Sequence, residues 1–244
     1  MPELTIADLV RNGTMSAEMA ATLWAAVDEQ RSFLTVAIPR FAGKSTLSNA
    51  VLALRPPEVA LNLVDGTPEV MERLRRERLG GYLVVAEFSK APEPGYIWGE
   101  PVRRVFETLS AGYCLQAALH AAGVEETIRV LTEGNGVSDE LASAIDLVLY
   151  IERFGDDHDT YWRRLSEVYE VDAVESGAPS GRTLYRWIEG GDRFESVEAP
   201  RGFATDRADL EARAAVLEGL ASSGRTSEND VAEALAAYRA GRPG

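Results

Sequence analysis

The sequence predicts an α/β protein with a three-layer, mostly parallel sheet, a small antiparallel β appendage and C-terminal helices. Three features of the sequence support this fold class. Short runs of β-branched and apolar residues alternate with helical periodicities up to residue 151, which is the pattern of βα units. After Phe154, strand-like runs are separated by glycine-rich turns, as in an antiparallel meander. From residue 206 onward the sequence is rich in alanine with helical spacing.

Residues 1–155 are interpreted as the sheet domain, preceded by a lead-in helix. Helices are predicted from apolar spacing and from capping or proline signals, at residues 16–30, 44–54, 68–79, 99–110 and 124–132, with a short one from Ser138. Strands are predicted from short apolar runs, at residues 33–38, 59–64, 82–88, 113–119 and 145–151. Regular alternation of this kind places helices on both faces of a mostly parallel sheet.

The rest of the chain is divided into two segments. Residues 156–200 are predicted to form the antiparallel β appendage, with strands at 165–174, 182–188 and 194–197. Residues 201–244 are predicted to form a helical C-terminal segment, with helices at 206–220 and 228–238 that are separated by a break at Gly224.

The composition argues against several classes of protein. The 244 residues are 45% hydrophobic and 26% charged, and no apolar run reaches the ~18 residues that a membrane-spanning helix needs. Acidic residues outnumber basic ones by 39 to 25, and the net charge of -14 disfavours binding to nucleic acid. With Cys114 as the only cysteine, neither an internal disulfide nor a structural zinc site is expected. These features, and an N-terminus unlike a signal peptide, predict a cytoplasmic protein.

The strongest local signal is the run Ala42, Gly43, Lys44, Ser45 and Thr46, which lies between a predicted buried strand and a predicted helix. Only two of the 25 basic residues are lysines, so a lysine at this position is informative. In a phosphate-binding loop the N–H groups at the helix N-terminus hold phosphate oxygens, the lysine contacts the β- and γ-phosphates and the next hydroxyl binds Mg²⁺. These five residues are therefore predicted to bind the phosphates of a nucleotide.

The loop departs from the full phosphate-binding pattern at three positions. Ile38 stands where the pattern G-x-x-x-x-G-K-[ST] has its first glycine, and Phe41 stands where a further glycine is often found. Pro39 lacks an N–H that would face a phosphate. Because bulky residues are strained where such a loop needs a positive φ, the alternative is a plain strand–turn–helix in which Lys44 is solvated.

Several blocks between Leu4 and Phe154 occur in the order of one known family. AGKSTLSNAVLAL is similar to a Walker A helix, LVDGTPEV to an acidic box, VVAEF to a Walker B strand and SAGYCLQAALHA to a histidine box. In this order the segment resembles the ATPases of type II and type IV secretion systems and pili. The resemblance implies a RecA-like P-loop NTPase core that binds ATP and Mg²⁺, in the cytoplasm or peripheral to the inner membrane through partners.

The resemblance also implies roles for individual residues. Lys44 and Ser45 would hold the phosphates and Mg²⁺, and Glu87 would be the Walker B carboxylate and a second Mg²⁺ contact. Asp65 would be the acidic-box carboxylate and His120 the second histidine of its box, so the expected catalytic residues are Asp65, Glu87 and His120. Each of these three also has a structural interpretation, as a turn residue, a strand-end acid and a packed histidine respectively.

Further departures from the family pattern leave more than one function open. Gly66 and Gly81 stand where the family usually has aspartate, Ser89 where it has arginine and Tyr113 where it has histidine. The first hypothesis is an ATP-binding protein with weak or slow hydrolysis. The second is a catalytically inactive paralogue that acts as a protein-interaction or regulatory module of a secretion-like or pilus-like assembly, with assembly proteins or a second copy of the chain as partners. A small-molecule kinase is disfavoured because lid and acceptor-binding features are lacking.

Two other sets of charged residues have simple interpretations. His158 lies in an acid-rich turn and is predicted to be solvated rather than a ligand. Four arginines between residues 73 and 78 are predicted to form a solvated, salt-bridged helix face, with an arginine finger as the alternative.

Overall fold

The computed structural model describes residues 3–39, 41–155 and 161–241. Within these ranges the helices are α1 (Ile6–Arg11), α2 (Ala17–Asp28), α3 (Lys44–Leu52), α4 (Pro68–Glu77), α5 (Glu100–Leu109), α6 (Val124–Arg129), α7 (Asp139–Ala142), α8 (Arg207–Ser223) and α9 (Glu228–Ala240). The strands are β1 (Phe33–Val36), β2 (Leu61–Leu63), β3 (Tyr82–Phe88), β4 (Tyr96–Ile97), β5 (Cys114–Leu119), β6 (Leu147–Phe154), β7 (Trp162–Glu175), β8 (Ala178–Ile188) and β9 (Arg193–Ser196). None of these helices has the length and apolar content that crossing a membrane requires.

The strands form one large mixed sheet. Its order is β2-β3-β5-β1-β6-β7-β8-β9, and β4 pairs with the end of β3. The strands from β2 to β6 in this order are parallel, whereas β7, β8 and β9 pair in antiparallel fashion. The prediction of a mostly parallel sheet is thus confirmed for one half of the sheet. The predicted antiparallel appendage extends the same sheet, because β7 pairs with β6 along the whole length of β6.

Helices cover both faces of the sheet, as the three-layer prediction requires. One face carries α1, α2, α3, α8 and α9, and its core contains Trp24, Phe33 and Leu47. The other face carries α4 to α7, and its core contains Leu34 and Phe106. Neighbouring residues of β1 therefore belong to different cores, and this strand is buried on both sides, as parallel strands between helix layers usually are.

Most predicted elements agree with the observed ones to within a few residues. The sequence patterns do not indicate α1 or β4, since both elements are short. The helix predicted at 124–132 changes into a π-helical turn over residues 130–134. β6 and β7 are longer than predicted, because each strand continues as far as its partner provides hydrogen bonds. His158 lies outside the described residues.

The prediction for the lead-in helix is wrong in one respect. The spacing predicts an amphipathic helix over 16–30 with one face on the sheet, but α2 is buried on nearly all sides. The reason is that α8, which comes much later in the chain, packs on the face of α2 that is turned away from the sheet. The alanines of α2 allow this close packing.

A buried arginine joins the C-terminal helices to the sheet domain. The Arg213 side chain is 1% exposed, and its guanidinium donates to Asp28 at 2.6 Å and to Asp209 at 2.8 Å. The same group lies 4.6 Å from the ring centroid of Trp24 and 5.4 Å from that of Tyr238. Asp28 is the last residue of α2, where the helix dipole disfavours a carboxylate, so this side chain depends on cationic partners. Arg213 thereby connects α2, α8 and α9.

Arg213→Met removes the buried charge while it keeps a long side chain. We expect the free energy of unfolding to fall by about 3–5 kcal/mol, because Asp28 and Asp209 lose a shared partner in a dry environment. Urea unfolding followed by circular dichroism measures this change. Arg207→Met on the same helix is the control, since Arg207 is 93% exposed and its ion pair with Glu211 should contribute less than about 1 kcal/mol. Equal losses in the two variants would contradict the buried-pair interpretation.

Candidate functional site

Residues 42–46 lie at the centre of the parallel half of the sheet. β1 is flanked by β5 and β6, and the chain continues from its carboxyl end at Val36 to the start of α3 at Lys44. Ligands of doubly wound sheets bind at the carboxyl ends of such central strands. Gly43 caps α3 with a φ of 101°, which favours glycine. The first N–H groups of an α-helix lack intrahelical acceptors, so α3 presents donors at this edge.

A cavity of about 290 Å³ opens at the start of α3 and is termed the Lys44 pocket. It is lined by loop and helix residues together with side chains from β3 and from the beginning of β7: Phe41, Ala42, Gly43, Lys44, Ser45, Thr46, Glu87, Tyr161 and Arg163. The five residues that the sequence predicts to bind phosphate therefore share one cavity with the carboxylate expected at the Walker B position.

Lys44 is buried and is held by side chains from two other strand ends. Its Nζ lies 3.3 Å from Oε2 of Glu87 and 3.4 Å from Nε2 of His120. The Lys44 and Glu87 side chains are 9% and 7% exposed. A buried ammonium at the positive end of a helix is costly unless an anion lies beside it, and Glu87 supplies that anion. The alternative in which Lys44 is solvated is therefore wrong.

His120 connects this group to the loop between β1 and α3. Its Nδ1 lies 3.0 Å from the backbone oxygen of Ile38, which only accepts, so this nitrogen carries a proton. Its Nε2 lies 3.2 Å from Oε1 of Glu87 as well as close to Lys44. In the neutral ring Nε2 accepts from Lys44, and in the imidazolium it donates to Glu87. His120 can thus pair with one of these two residues in either protonation state.

A chain of buried polar groups holds α3 against the central strands. Ser48 Oγ donates to Thr35 Oγ1 at 2.9 Å, and Gln116 Nε2 donates to Ser48 Oγ at 2.9 Å. These residues lie on α3, β1 and β5. Because buried polar groups are costly to leave unpaired, the two hydrogen bonds set the position of α3 relative to both strands.

Two apolar side chains of the β1–α3 loop are exposed. Phe41 is 70% exposed and Ile38 is 51% exposed. Phe41 also has a φ of 61°, in the left-handed region that is unfavourable for a bulky residue. This is the strain expected where Phe41 replaces a glycine of the phosphate-loop pattern.

Asp65 lies at the end of a strand that is not adjacent to β1. It follows β2, which β3 and β5 separate from β1. Its Oδ1 accepts hydrogen bonds from the hydroxyl and the N–H of Thr67, and these bonds lower the pKa of Asp65, the hydroxyl bond contributing most. Asp65 is not among the described residues that line the Lys44 pocket. Its catalytic role stays a prediction.

The structure adds two pocket residues that sequence motifs do not indicate. Tyr161 and Arg163 line the Lys44 pocket where β7 begins. Arg163 Nη2 donates to the backbone oxygen of Phe41, 122 residues earlier, at 3.1 Å. The sequence predicts this strand only from residue 165, so no local signal connects Arg163 with the loop. The pairing of β7 with β6, which is itself next to β1, brings them together.

The arginines of α4 are found on a charged surface, as predicted. Arg73 pairs with Glu77 at 2.8 Å, and Arg75 pairs with Glu72 at 3.6 Å and with Glu107 at 3.4 Å. Within the described residues, no α4 arginine lines the Lys44 pocket.

Comparison with known proteins yields partial matches. No family model matches the chain. Among curated proteins, the chain is 29% identical over 142 residues to uncharacterized protein MJ1287 of Methanocaldococcus jannaschii, and the match covers 51% of this chain and 52% of that protein.

Two solved structures of secretion-related ATPases show partial similarity. The VirB11 ATPase of the Brucella suis type IV secretion system, in complex with sulphate, matches with a TM-score of 0.46 and 18% identity over 63% of this chain and 52% of that one. The ATPase DotB of Legionella pneumophila matches with a TM-score of 0.40 and 15% identity over 87% of this chain and 53% of that one. The chain spans about half the length of each of these relatives. Because both TM-scores are low, the chemistry of the Lys44 pocket has to follow from contacts within this chain.

Gly43→Ala tests whether the start of α3 requires glycine. We expect the free energy of unfolding to fall by about 2 kcal/mol, because a residue with a Cβ is strained at this φ. The new Cβ would also lie 2.8 Å from Cδ of Arg163, which would have to move. Thermal and urea unfolding measure the loss.

The matched control for this substitution is Gly224→Ala at the end of α8. Gly224 has a φ of 74°, and apart from its chain neighbours no atom of the described residues lies within 4 Å of the position that its Cβ would take. Gly224→Ala therefore reports the cost of the backbone conformation alone, and its loss should be the smaller one. A Gly43 loss no larger than the Gly224 loss would show that Arg163 does not pack closely on the loop.

Proposed function

We propose that this protein binds ATP with Mg²⁺ in the Lys44 pocket and hydrolyses it slowly. The observation that carries the proposal is a lysine buried in the first turn of α3, at the carboxyl end of the central parallel strand, between Glu87 and His120. A cation at the positive end of a helix adds to the positive potential there, and this favours the binding of an anion. The resemblance of the motif order to secretion and pilus ATPases supports the same function.

The residues of the pocket fit a polyphosphate group. Gly43 leaves the loop backbone uncovered by a side chain of its own, and the N–H groups of the first turn of α3 offer donors. Ser45 is exposed at the same turn, so its hydroxyl is accessible from the pocket. Lys44 supplies a full positive charge. Backbone donors, a hydroxyl and a cation are the groups that recognise phosphate oxygens.

The same residues fit Mg²⁺ in company with phosphate. Ser45 and Glu87 line the pocket and offer oxygen ligands, which Mg²⁺ prefers. In the part of the chain that the structure describes, no group of three or more His, Cys, Asp or Glu side chains could hold a metal by itself. Phosphate oxygens and water would therefore complete the coordination. Bound Mg²⁺ supplies neutralisation of the negative charge on the phosphates.

Glu87 and His120 have separable tasks in this proposal. In the structure Glu87 balances the charge of Lys44, and in the proposed complex a phosphate takes over that task. The Glu87 carboxylate is then available to orient water toward the γ-phosphate. His120 keeps its hydrogen bond to Ile38 and so positions the β1–α3 loop. Turnover is slow because Glu87 must leave two partners before it can orient water.

Lys44→Ala should abolish stabilisation by nucleotide. In a thermal-shift titration with ATP, ADP and GTP, with and without Mg²⁺, the parent protein should gain about 2.7 kcal/mol of stability at 100 times Kd. Lys44→Ala should show no gain relative to its own melting temperature without nucleotide. Lys90→Ala is the control, because it removes the other lysine, which lies 4.8 Å from the ring centroid of Trp98 and does not line the pocket. A parent protein that no nucleotide stabilises would refute the proposal.

Glu87→Gln should separate ATP binding from hydrolysis. The variant keeps the side-chain shape but cannot accept a proton or hold Mg²⁺ as a carboxylate does, so we expect turnover to fall by about 100-fold or more. ATP binding should persist, since Lys44 then has the phosphates as its anion. Asp65→Asn is the comparison: its carboxylate is bonded to Thr67 outside the pocket, so a smaller loss is expected. The rate of phosphate release at saturating ATP measures turnover in both variants. A larger loss of turnover in Asp65→Asn than in Glu87→Gln would show that Asp65, not Glu87, is the main catalytic carboxylate.

One specific observation favours the second hypothesis, in which the protein is a catalytically inactive interaction or regulatory module. Phe41 and Ile38 expose apolar surface on the β1–α3 loop, where a partner would cover it. Such a partner would be a second copy of the chain or a protein of a secretion-like or pilus-like assembly. This function is favoured over ATP hydrolysis if the thermal-shift titration shows no gain that depends on Lys44.

A further inference from the structure

Two arginines face each other beside the Lys44 pocket. In the antiparallel pairing of β6 with β7, Arg153 lies directly opposite Arg163. Both guanidinium groups lie near the ring of Tyr161, at 5.6 Å and 4.6 Å from its centroid respectively. Within the described residues neither arginine forms an ion pair with a carboxylate. Like charges in directly opposite positions of paired strands are unfavourable.

A β-bulge turns Arg163 toward the pocket. The register of β6 and β7 shifts by one residue, so that Ser166 is an extra residue in β7. For this reason Leu165 and Val168 face the same core although they are three residues apart. Arg163, two residues before Leu165, lies on that face, which is also the face that α3 covers. Bulges commonly re-aim side chains next to functional sites.

The Arg163 side chain lies along the β1–α3 loop, and its buried Nε donor is unpaired among the described residues. The Cδ and Nε atoms lie 2.8 Å and 2.9 Å from the position that a Cβ on Gly43 would occupy. Nη2 is bound to the Phe41 carbonyl, whereas Nε is buried and has no hydrogen-bond partner among the described residues. A buried donor without an acceptor is unfavourable. Arg163 and Lys44 line the same pocket, so an oxyanion bound there would accept hydrogen bonds from both cations.

We propose that Arg163 is a second phosphate ligand of the Lys44 pocket, contributed by β7 of the same chain. This inference rests on the proposed function, because it names a further contact to the same nucleotide. The phosphates would be held between two cations from different elements, Lys44 on α3 and Arg163 on β7. A guanidinium group presents several donors in one plane and so matches two phosphate oxygens at once.

The test is titration calorimetry of Mg-ATP and of Mg-tripolyphosphate with the full chain. Arg163→Gln should weaken the binding of both by about tenfold, and the affinity should become less dependent on NaCl concentration because one charge pair is lost. Arg186→Gln is the matched control. It removes an equal charge from β8, where Arg186 is 54% exposed and lies 3.5 Å from Glu167, away from the pocket. Its affinities and its salt dependence should equal those of the parent.

Each other outcome has a distinct meaning. If Arg163→Gln binds like the parent while Lys44→Ala does not bind, Arg163 only packs on the loop and the inference is overturned, but the proposed function stands. A weaker affinity with unchanged salt dependence would show that Arg163 shapes the loop, which also overturns the inference. If the parent binds neither compound, the proposed function and the inference both fail. Should Arg163→Gln not fold, Arg163→Lys serves as the variant, since it keeps the charge and loses the planar donor group. For this variant we expect weaker binding of both compounds with unchanged salt dependence, and affinities equal to those of the parent would overturn the inference.

Discussion

The arrangement of side chains at the carboxyl edge of the parallel strands depends on the neutralisation of one buried ammonium group. Lys44 begins a helix, where the dipole disfavours a cation, and it has almost no contact with water. Its partners Glu87 and His120 come from the ends of β3 and β5. The carboxyl ends of β1, β3 and β5 must therefore lie side by side at one edge of the sheet. The buried hydrogen bonds of Ser48 hold α3 in the position that brings Lys44 next to Glu87 and His120.

The β1–α3 loop shows how this constraint extends into the antiparallel half of the sheet. The loop takes positive φ at both Phe41 and Gly43, although only one of them is glycine. Arg163 supports this strained backbone from β7 through its bond to the Phe41 carbonyl. The start of β7 consequently forms one wall of the Lys44 pocket, and the bulge at Ser166 determines which side chains that wall presents.

Lys44 and Arg213, two of the three buried cations in the described part of this acidic chain, have different partner sets. Lys44 is a compact charge between a carboxylate and an imidazole, which suits an exchange of partners. Arg213 is a planar group between two carboxylates and two aromatic rings, which suits a permanent junction. Lys44 lines the pocket, whereas Arg213 is enclosed by three helices.

By itself the sequence determined the alternation of helices and strands and the position of residues 42–46 at the junction of β1 and α3, because periodicity and turn chemistry are local. It also indicated Glu87 and His120 through the order of motifs. Only the tertiary structure decided that these two side chains meet Lys44 while Asp65 bonds to Thr67, that α8 buries the outer face of α2, and that Arg163 reaches the loop. The physical reason is that sheet order, register and helix packing arise from contacts between residues far apart in the chain, such as the 122 positions that separate Phe41 from Arg163.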